Sequence, residues 1–514
     1  MSKTSELYFI THTACRSMLE TSDCDCNCDC DCDCACPSVL EAEESPYRAF
    51  AQDATLFPSA NVQCYALDAQ NWIVLGGSSS PAVMSAACYD LFRRFPARAY
   101  EAVEQMQARW SAGHIHEAIA QMVEHGLLSD KPNTASCPDE VPSTVLASWI
   151  HLTSQCNLAC RYCYLPHKTE MLAPALGRAV VDAILHAACA HGYSTIKLKY
   201  AGGEPLLNFP VLVDNFGYAT AQAQKAGLAL EGRILTNGLL LDHETVSQIK
   251  AHGLSLTVSL DGIGAWHDTQ RPLRGGGSSF ALVERGISLA MEAGLQPGIS
   301  VTLSGANAGG LPELVAWLLD RDLRFTFNFY RPNPLSQGQA ALDFENRQII
   351  DALRQSYALI ESRRPGFAFW YALADRVNLR QPHTRPCSAG RSYLVFDVHG
   401  NLAGCQMAID ATMGSYRTAD PLAAIQSASS GPQNAPVTQK AACAGCEWRW
   451  WCAGGCPALA KYATGSDTAA SPYCAIYKEI IPLLLHMEAR SLLTRRGQNA
   501  GRKTDAADAA TAAL

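Results

Sequence analysis

Apolar and polar residues follow two alternating patterns through the middle of the chain. From Ser148 to about Pro334, short apolar runs are separated by longer segments in which apolar residues recur every three or four positions. The first pattern is typical of buried parallel strands and the second of amphipathic helices. The strand candidates are Trp149–Leu152, Thr195–Lys199, Gly232–Leu235, Leu254–Leu260, Gly298–Leu303 and Phe325–Phe329, and the helix candidates include Leu176–Cys189 and Phe280–Ala293. Six such units in series predict an α/β fold with a parallel sheet, either open or closed into a partial barrel.

The pattern of residues 60–130 predicts a separate, small α+β unit. Cys64–Leu67 and Trp72–Leu75 have the composition of a strand pair. One helix is predicted from about Pro81 to Phe95, and another from His116 to His125, closed by Gly126.

The remaining parts of the chain lack a clear period. Residues 1–45 are polar and of low complexity, 131–143 contain three prolines, and beyond Cys387 cysteine, glycine and tryptophan dominate. The predicted domains are a Cys/Asp-rich segment (1–45), the small unit (60–130), the α/β core (145–335), a connecting helical region (336–386), a Cys-rich domain (387–480) and a disordered tail (481–514).

Composition and charge exclude several classes of protein. The net charge is −8, from 40 basic and 48 acidic residues, so no basic field favours nucleic acid. No apolar run is long enough to span a membrane, and the N-terminus has no apolar signal core. We therefore expect a cytoplasmic protein that binds neither nucleic acid nor membrane.

The chain has 22 cysteines, which is unusual for a protein of a reducing compartment. Metal ligation or catalysis is a better explanation there than a disulfide framework. The cysteines fall into three groups, at 15–36, 156–163 and 387–474. We expect the four others, Cys64, Cys88, Cys137 and Cys189, to fill space as small apolar residues.

Cys156, Cys160 and Cys163 form a CxxxCxxC set directly after the first predicted strand of the core. Three thiolates on one loop can hold three irons of a [4Fe–4S] cluster and leave the fourth iron open. A zinc site is the alternative, but it would normally need a fourth protein ligand, and none is nearby in the sequence.

This motif at the start of six βα units resembles the radical S-adenosylmethionine (SAM) superfamily. The resemblance implies a partial (βα)6 barrel in which the open iron binds SAM, whose reductive cleavage gives a 5′-deoxyadenosyl radical. It also implies SAM contacts from Tyr162, from Gly202, Gly203 and Glu204 of a GGEP motif, and from Ser259 and Arg271 of an SLDG…HD…R run. Thr236-Asn237-Gly238 fits the same pattern, whereas His267 and Asp268 are given no role.

The C-terminal cysteines resemble the seven-cysteine pattern of the SPASM domain, which holds two auxiliary [4Fe–4S] clusters. The resemblance implies that Cys443, Cys446, Cys452 and Cys474 bind the distal cluster, and that Cys387, Cys405 and Cys456 bind the proximal one. The proximal cluster is then one protein ligand short, so a substrate thiolate, another side chain or an unmatched cysteine could complete it. Two structural zinc sites are the alternative reading.

These resemblances imply three [4Fe–4S] clusters, SAM, a flavodoxin- or ferredoxin-type reductant, and a ribosomally made peptide or protein as substrate. The unit at 60–130 resembles winged-helix domains that bind leader peptides, although a generic capping domain is the alternative. The whole arrangement resembles thioether-forming maturases. Carbon–carbon cross-linking is an open alternative. Sulfatase-maturase-like oxidation is a further one, but those enzymes normally carry an additional cysteine that is missing between Cys387 and Cys405. No residue is predicted as a substrate-side base or radical relay.

In the segment 24–36, seven cysteines alternate mostly with aspartates. An extended chain would place the thiols on one face and the carboxylates on the other. Three interpretations stay open: a substrate-like or self-modified segment, a metal-binding or sulfur-delivering tract, and inert low-complexity sequence. Two functions outside the enzymes also remain: a non-catalytic iron–sulfur scaffold, against which the GGEP and SLDG motifs argue, and a metal-storage protein centred on this segment.

Overall fold

The computed structural model describes residues 7–10, 53–76, 79–132, 143–336, 338–363, 373–380 and 382–511, with side chains up to residue 494 apart from those of residues 79 and 80. These ranges do not include the Cys/Asp tract 24–36, Cys137 or most of the proline-containing segment 131–143. Among the described residues, no helix is both long and apolar enough to cross a membrane.

The N-terminal unit contains two small sheets and three helices. One antiparallel sheet has the strand order β1-β5-β4-β3 and the other the order β6-β2-β7. The strands are β1 (Phe9–Ile10), β2 (Thr55–Pro58), β3 (Gln63–Ala66), β4 (Asn71–Gly76), β5 (Ser79–Ser85), β6 (Ala97–Arg98) and β7 (Leu128–Ser129), and the helices are α1 (Ala86–Phe92), α2 (Ala99–Met106) and α3 (Ala112–Glu124).

Two predictions for this region are corrected. The helix expected from Pro81 begins only at Ala86, because residues up to Ser85 pair with β4 and the Ser85 hydroxyl caps the helix by accepting a hydrogen bond from the Cys88 amide. The polar, low-complexity segment 1–45 was expected to contribute little to a core. However, Phe9 and Ile10 are buried and pair with β5.

The central region confirms the expected order of strands. Its six parallel strands follow one another in sequence order, from β8 to β13, in a sheet that remains open between the first and the last. They are β8 (Val145–His151), β9 (Thr195–Ala201), β10 (Ala229–Thr236), β11 (Ser255–Ser259), β12 (Gly298–Leu303) and β13 (Phe325–Phe329). The accompanying helices are α4 (Pro174–Ala190), α5 (Phe209–Ala226), α6 (His243–Ala251), α7 (Ala265–Gln270), α8 (Phe280–Glu292) and α9 (Leu311–Asp320). Strands buried on both faces explain why they read as continuous apolar runs.

The C-terminal region extends the same sheet. β14 pairs in parallel with β8, with Val395 opposite Trp149, and β15 and β16 continue the sheet in antiparallel fashion. The elements are α10 (Asn346–Arg363), β14 (Tyr393–Phe396), β15 (Asn401–Ala403), β16 (Thr412–Ser415), α11 (Pro421–Ser427), α12 (Arg449–Cys452), α13 (Pro457–Thr464) and α14 (Cys474–Thr511). Short 3₁₀ helices lie at Pro205–Asn208, Ala308–Gly310, Pro334–Ser336, Ala340–Leu342, Gln406–Ala408, Val437–Gln439 and Ala441–Cys443. Through this sheet, the cysteine-rich region is joined directly to the first strand of the core.

The disordered tail predicted from residue 481 is wrong, because α14 continues through it. Ile481, Leu484, Leu485 and Leu492 are buried in the main core. Their spacing of three to four residues and of seven defines an apolar helix face, which packs against α10 and the sheet of the N-terminal unit.

Candidate functional site

A large cavity lies where the strands of the core end. It is open to solvent, and about 1090 Å³ of space lies within it and its mouth. Its wall includes most of the residues expected to bind the cluster and SAM: Cys156, Cys160, Tyr162, Cys163, Gly202, Gly203, Ser259 and Arg271. The motifs that follow successive strands therefore converge on one cavity, as is usual for parallel α/β folds.

The three thiols of the CxxxCxxC loop face this cavity and lie close to one another. Burial raises the pKa of Cys156 and of Cys160 to about 12 and also raises that of Cys163, and neighbouring thiols of the set add to these shifts. Such thiols ionise only when a metal or a positive charge stabilises the thiolate.

Nitrogen donors surround the three sulfur atoms. The Leu158 amide lies 3.4 Å from Cys156 Sγ, and Asn237 Nδ2 lies 3.8 Å from the same atom. A guanidinium nitrogen of Arg271 lies 3.9 Å from Cys160 Sγ, and His167 Nε2 lies 3.5 Å from Cys163 Sγ. This is the environment expected around thiolates that bind a cluster, so the residues fit a [4Fe–4S] cluster.

Among the described residues, no three His, Cys, Asp or Glu side chains are arranged to hold a single metal ion.

The two GGEP glycines lie where two backbone segments pack closely together. A Cβ atom on Gly202 would lie 2.4 Å from the Thr153 carbonyl oxygen, and one on Gly203 would lie 2.0 Å from the Gln155 carbonyl oxygen. The φ angle of Gly202 is +141°, which other residues rarely adopt. The two glycines therefore let the second strand end pack against the loop that leads to Cys156.

Glu204 lies in a different place from the one expected for a SAM contact. Its carboxylate is fully buried and does not line the cavity. It accepts hydrogen bonds from the Leu206 amide (3.0 Å), the Thr236 hydroxyl (2.7 Å) and the Asn237 amide (2.8 Å). Burial raises the pKa of Glu204 to about 7. The side chain ties the second strand end to the third and so positions Asn237 beside Cys156.

Asp261 of the SLDG run was not predicted from the sequence to belong to the site. Its buried carboxylate accepts hydrogen bonds from the Tyr162 hydroxyl (2.6 Å), Arg271 Nε (2.8 Å) and the Thr302 amide (2.8 Å). The Arg271 guanidinium also lies 5.4 Å from the centre of the Tyr162 ring. One carboxylate thus orients two residues expected to contact SAM.

His267 and Asp268 also have structural partners, although they were given no role. His267 Nδ1 accepts a hydrogen bond from the Asp261 amide, and burial lowers the pKa of His267 to about 4. Asp268 accepts hydrogen bonds from the Ser279 and Phe280 amides at the start of α8. His267 therefore supports the loop that carries Asp261, and Asp268 caps α8.

The C-terminal cysteines interact electrostatically with one another in a set of three and a set of four. Cys387, Cys405 and Cys456 influence one another's ionisation, and all three are buried or half-buried. Burial raises the pKa of Cys456, but Arg331 and Arg376 outweigh it, so this pKa lies below the usual value of a thiol. These two arginines belong to the wall of the cavity.

The four cysteines expected to bind the distal cluster are Cys443, Cys446, Cys452 and Cys474. Besides burial, the charges of Cys446 and Cys474 raise the pKa of Cys443 and of Cys452, and the charge of Cys446 raises that of Cys474. The buried Lys440 lies beside this group and donates a hydrogen bond to the Ala453 carbonyl oxygen.

Three of the four cysteines outside the three groups are described by the structure. Cys88 is buried in the core of the N-terminal unit, as expected, and Cys64 is partly buried there. Cys189 is exposed on α4, which corrects the expectation that it fills space in a core.

Comparison with known proteins identifies the central domain. Residues 150–318 match the profile of the Radical SAM superfamily. The "Serine-type anaerobic sulfatase-maturating enzyme" of Klebsiella aerogenes is 25% identical over 353 residues, which cover 63% of this chain and 82% of that enzyme. The "GTP 3',8-cyclase" of Geobacter sulfurreducens is 30% identical over 217 residues, which cover 41% of this chain and 63% of that protein.

A solved structure shares the fold. The structure described as "Native anSMEcpe with bound AdoMet and Cp18Cys peptide" superposes with a TM-score of 0.56 at 17% identity, covering 66% of this chain and 98% of that one. The match of residues 150–318 confirms for the central domain the radical SAM resemblance inferred from the motifs, and we expect this domain to hold a [4Fe–4S] cluster and SAM.

Proposed function

Because the chain is a radical SAM enzyme, we propose that it modifies a ribosomally made peptide or protein and forms a thioether between a cysteine sulfur and a carbon atom. One observation carries this proposal. A single cavity extends from the CxxxCxxC loop to Gln406 and Met407, which directly follow Cys405, one of the three cysteines expected to bind the proximal cluster. A substrate in this cavity would lie against the CxxxCxxC loop and against the residues next to Cys405.

The residues of the cavity have distinct tasks in this proposal. A bound cluster and SAM supply a 5′-deoxyadenosyl radical for hydrogen-atom abstraction. Cys156, Cys160 and Cys163 hold the cluster, while Ser259 and Arg271 line the space for SAM. Asp261 keeps Arg271 and Tyr162 oriented, and apolar side chains such as Leu235 reduce the access of water to the reacting atoms.

We assign the C-terminal cysteines to two auxiliary clusters. The proximal one would be held by Cys387, Cys405 and Cys456, and the distal one by the other four, which have a full set of ligands. This assignment leaves the proximal cluster one cysteine ligand short. A substrate thiolate could occupy that position, and this would favour thioether formation over the joining of two carbon atoms.

Oxidation of a protein side chain is the second candidate. The alignment with the Klebsiella enzyme, whose name describes sulfatase maturation, supports it. Against it stands the missing cysteine between Cys387 and Cys405.

The N-terminal unit would bind a leader segment of the substrate. Gln63 and Tyr65 of β3 hydrogen-bond to Glu447, and the Tyr65 ring stacks on Trp448 at 5.4 Å, beside Cys446. A leader held on this unit would therefore enter next to the cysteine-rich region. A flavodoxin- or ferredoxin-type protein would supply electrons.

The cluster assignment is tested by counting iron and sulfide after anaerobic reconstitution. We expect about twelve irons per wild-type chain, and about four fewer in each of Cys156→Ala, Cys387→Ala and Cys443→Ala. Only Cys156→Ala should abolish 5′-deoxyadenosine formation. Cys189→Ala, at an exposed site, is the matched control and should match wild type. Unchanged iron in Cys387→Ala or Cys443→Ala would refute the auxiliary clusters.

A further inference from the structure

The part of the cavity wall near Cys456 carries two arginines, and one of them is oriented by a carboxylate outside the cavity. Arg331 follows β13, donates a hydrogen bond to the Phe329 carbonyl oxygen at 3.0 Å, and forms a salt bridge with Asp375. Asp375 also accepts a hydrogen bond from the Tyr477 hydroxyl at 2.8 Å, and it does not line the cavity. Its carboxylate therefore orients Arg331 from the protein side, while Arg376, the next residue, faces the cavity as well.

The fixed charges of this wall are positive. Among the described residues, three arginines and no aspartate or glutamate line the cavity. Trp149 also lines it, is only 4% exposed, and its indole nitrogen has no hydrogen-bond partner among the described residues. Guanidinium and indole N–H groups donate and cannot accept hydrogen bonds, so a ligand that binds them must offer an acceptor. A carboxylate matches them best because arginine binds its two oxygens together.

The position of these groups ties them to the substrate rather than to SAM. Trp149 packs in one apolar cluster with Cys387, and β8, which carries it, pairs with β14 of the C-terminal region. Arg331 and Arg376 lie near Cys456. The SAM-facing arginine, Arg271, is instead engaged with Asp261 on the other cysteine loop.

We propose that Arg331, Arg376 and Trp149 form a carboxylate-binding subsite that selects peptides with an aspartate or glutamate close to the residue that is modified. This inference rests on the proposed function, because it names the class of peptide that the same cavity accepts. A free C-terminal carboxylate offers the same chemistry and is distinguished by the test.

The same arginines could instead only balance the thiolates of a proximal cluster. In that case, their replacement would change the reduction potential of the cluster and leave the choice of peptide unchanged. The two explanations therefore differ in an observable other than activity.

The test is a selection of peptides by the full-length, reconstituted protein with SAM, under anaerobic conditions. The displayed library has a central cysteine, random flanks and a tethered C-terminus, so a free terminal carboxylate is absent. The variants are Arg376→Gln, the charge-conserving Arg376→Lys, and Trp149→Phe, which removes the unpartnered donor. Arg347→Gln, at a side chain that is 72% exposed, removes the same charge elsewhere and is the matched control.

We expect wild type and Arg347→Gln to enrich aspartate or glutamate near the cysteine about tenfold or more, as for a hydrogen-bonded charge. Arg376→Gln should lose most of this enrichment, and Arg376→Lys and Trp149→Phe only part of it, at unchanged SAM binding and iron content. If Arg376→Gln fails to assemble clusters, the other two variants decide. No acidic enrichment in wild type, or the same enrichment in all variants, overturns the subsite. Selected peptides that bind only as free acids, and not as amides, would overturn the side-chain assignment in favour of a terminal carboxylate.

The selected peptides also separate this inference from the proposed function. Dithionite is then added to start turnover of the protein with SAM and the selected peptides. Acidic peptides whose mass stays unchanged would support the subsite and count against peptide modification. Peptides that lose two hydrogens without any acidic preference would do the opposite.

Discussion

The Asp261 carboxylate gives the sharpest prediction about the site. Asp261→Asn removes its charge with almost no change in volume. The amide oxygen can still accept from the Thr302 amide, but the amide nitrogen would face Arg271 Nε, which is also a donor. A buried guanidinium would then lose its ionic partner.

The magnitude follows from the burial of the pair. The side chains of Arg271 and Asp261 are 10% and 0% exposed, so solvent does not screen them. Removing one partner of such a pair costs about 3–5 kcal/mol. Because Arg271 and Tyr162 share the same carboxylate, we also expect weaker SAM binding.

The assay is urea unfolding of wild type, Asp261→Asn and Asp242→Asn. Asp242 is an exposed N-cap of α6, where asparagine caps equally well, so this control should change the free energy of unfolding by less than about 0.5 kcal/mol. Replacing Arg271 by methionine in the Asp261→Asn background should restore part of the loss, since no unpaired charge remains. A loss below about 1 kcal/mol in Asp261→Asn, or one equal to that of Asp242→Asn, would refute the reasoning.

Three further predictions concern other parts of the structure. Because burial lowers the pKa of His267 to about 4, against 6.5 for an unperturbed histidine, the unfolded chain takes up this proton first and stability is lost as the pH falls through that window. His267→Asn should flatten the pH profile of unfolding there, whereas His243→Asn, at an exposed site, should not. Gly203→Ala should lower the melting temperature and iron retention, because its Cβ would meet backbone at 2.0 Å. Gly217→Ala, where nothing lies within 4 Å, should be neutral or stabilise by about 0.5–1 kcal/mol. Leu484→Ala in α14 should cost about 2–5 kcal/mol in urea unfolding, and a loss below about 1 kcal/mol would contradict the burial of this helix.

Several strands of the core could be predicted because they are buried on both faces and read as one apolar run. Trp149–Leu152 and Phe325–Phe329 illustrate this, and their observed bounds differ by few residues from the expected ones. The cavity was also predictable, since motifs at successive ends of parallel strands must meet.

The predictions that failed concerned features that depend on contacts between segments distant in the sequence. Pro81–Ser85 reads as the start of a helix until pairing with β4 is known. Asp261 receives donors from residues at 162, 271 and 302, and no local pattern announces that convergence. The apolar spacing from Ile481 to Leu492 was a usable signal for α14, but the polar composition that follows it concealed the helix.

The central claim is that a hydrogen atom passes from a peptide to the 5′ carbon of SAM. The most direct measurement uses the reconstituted protein, SAM, dithionite and a pool of cysteine-containing peptides synthesised from perdeuterated amino acids. We expect the wild-type protein to form 5′-deoxyadenosine that carries deuterium, in amounts above those formed without peptide. We expect none from Cys156→Ala. Abundant 5′-deoxyadenosine without deuterium, at every peptide concentration, would contradict it.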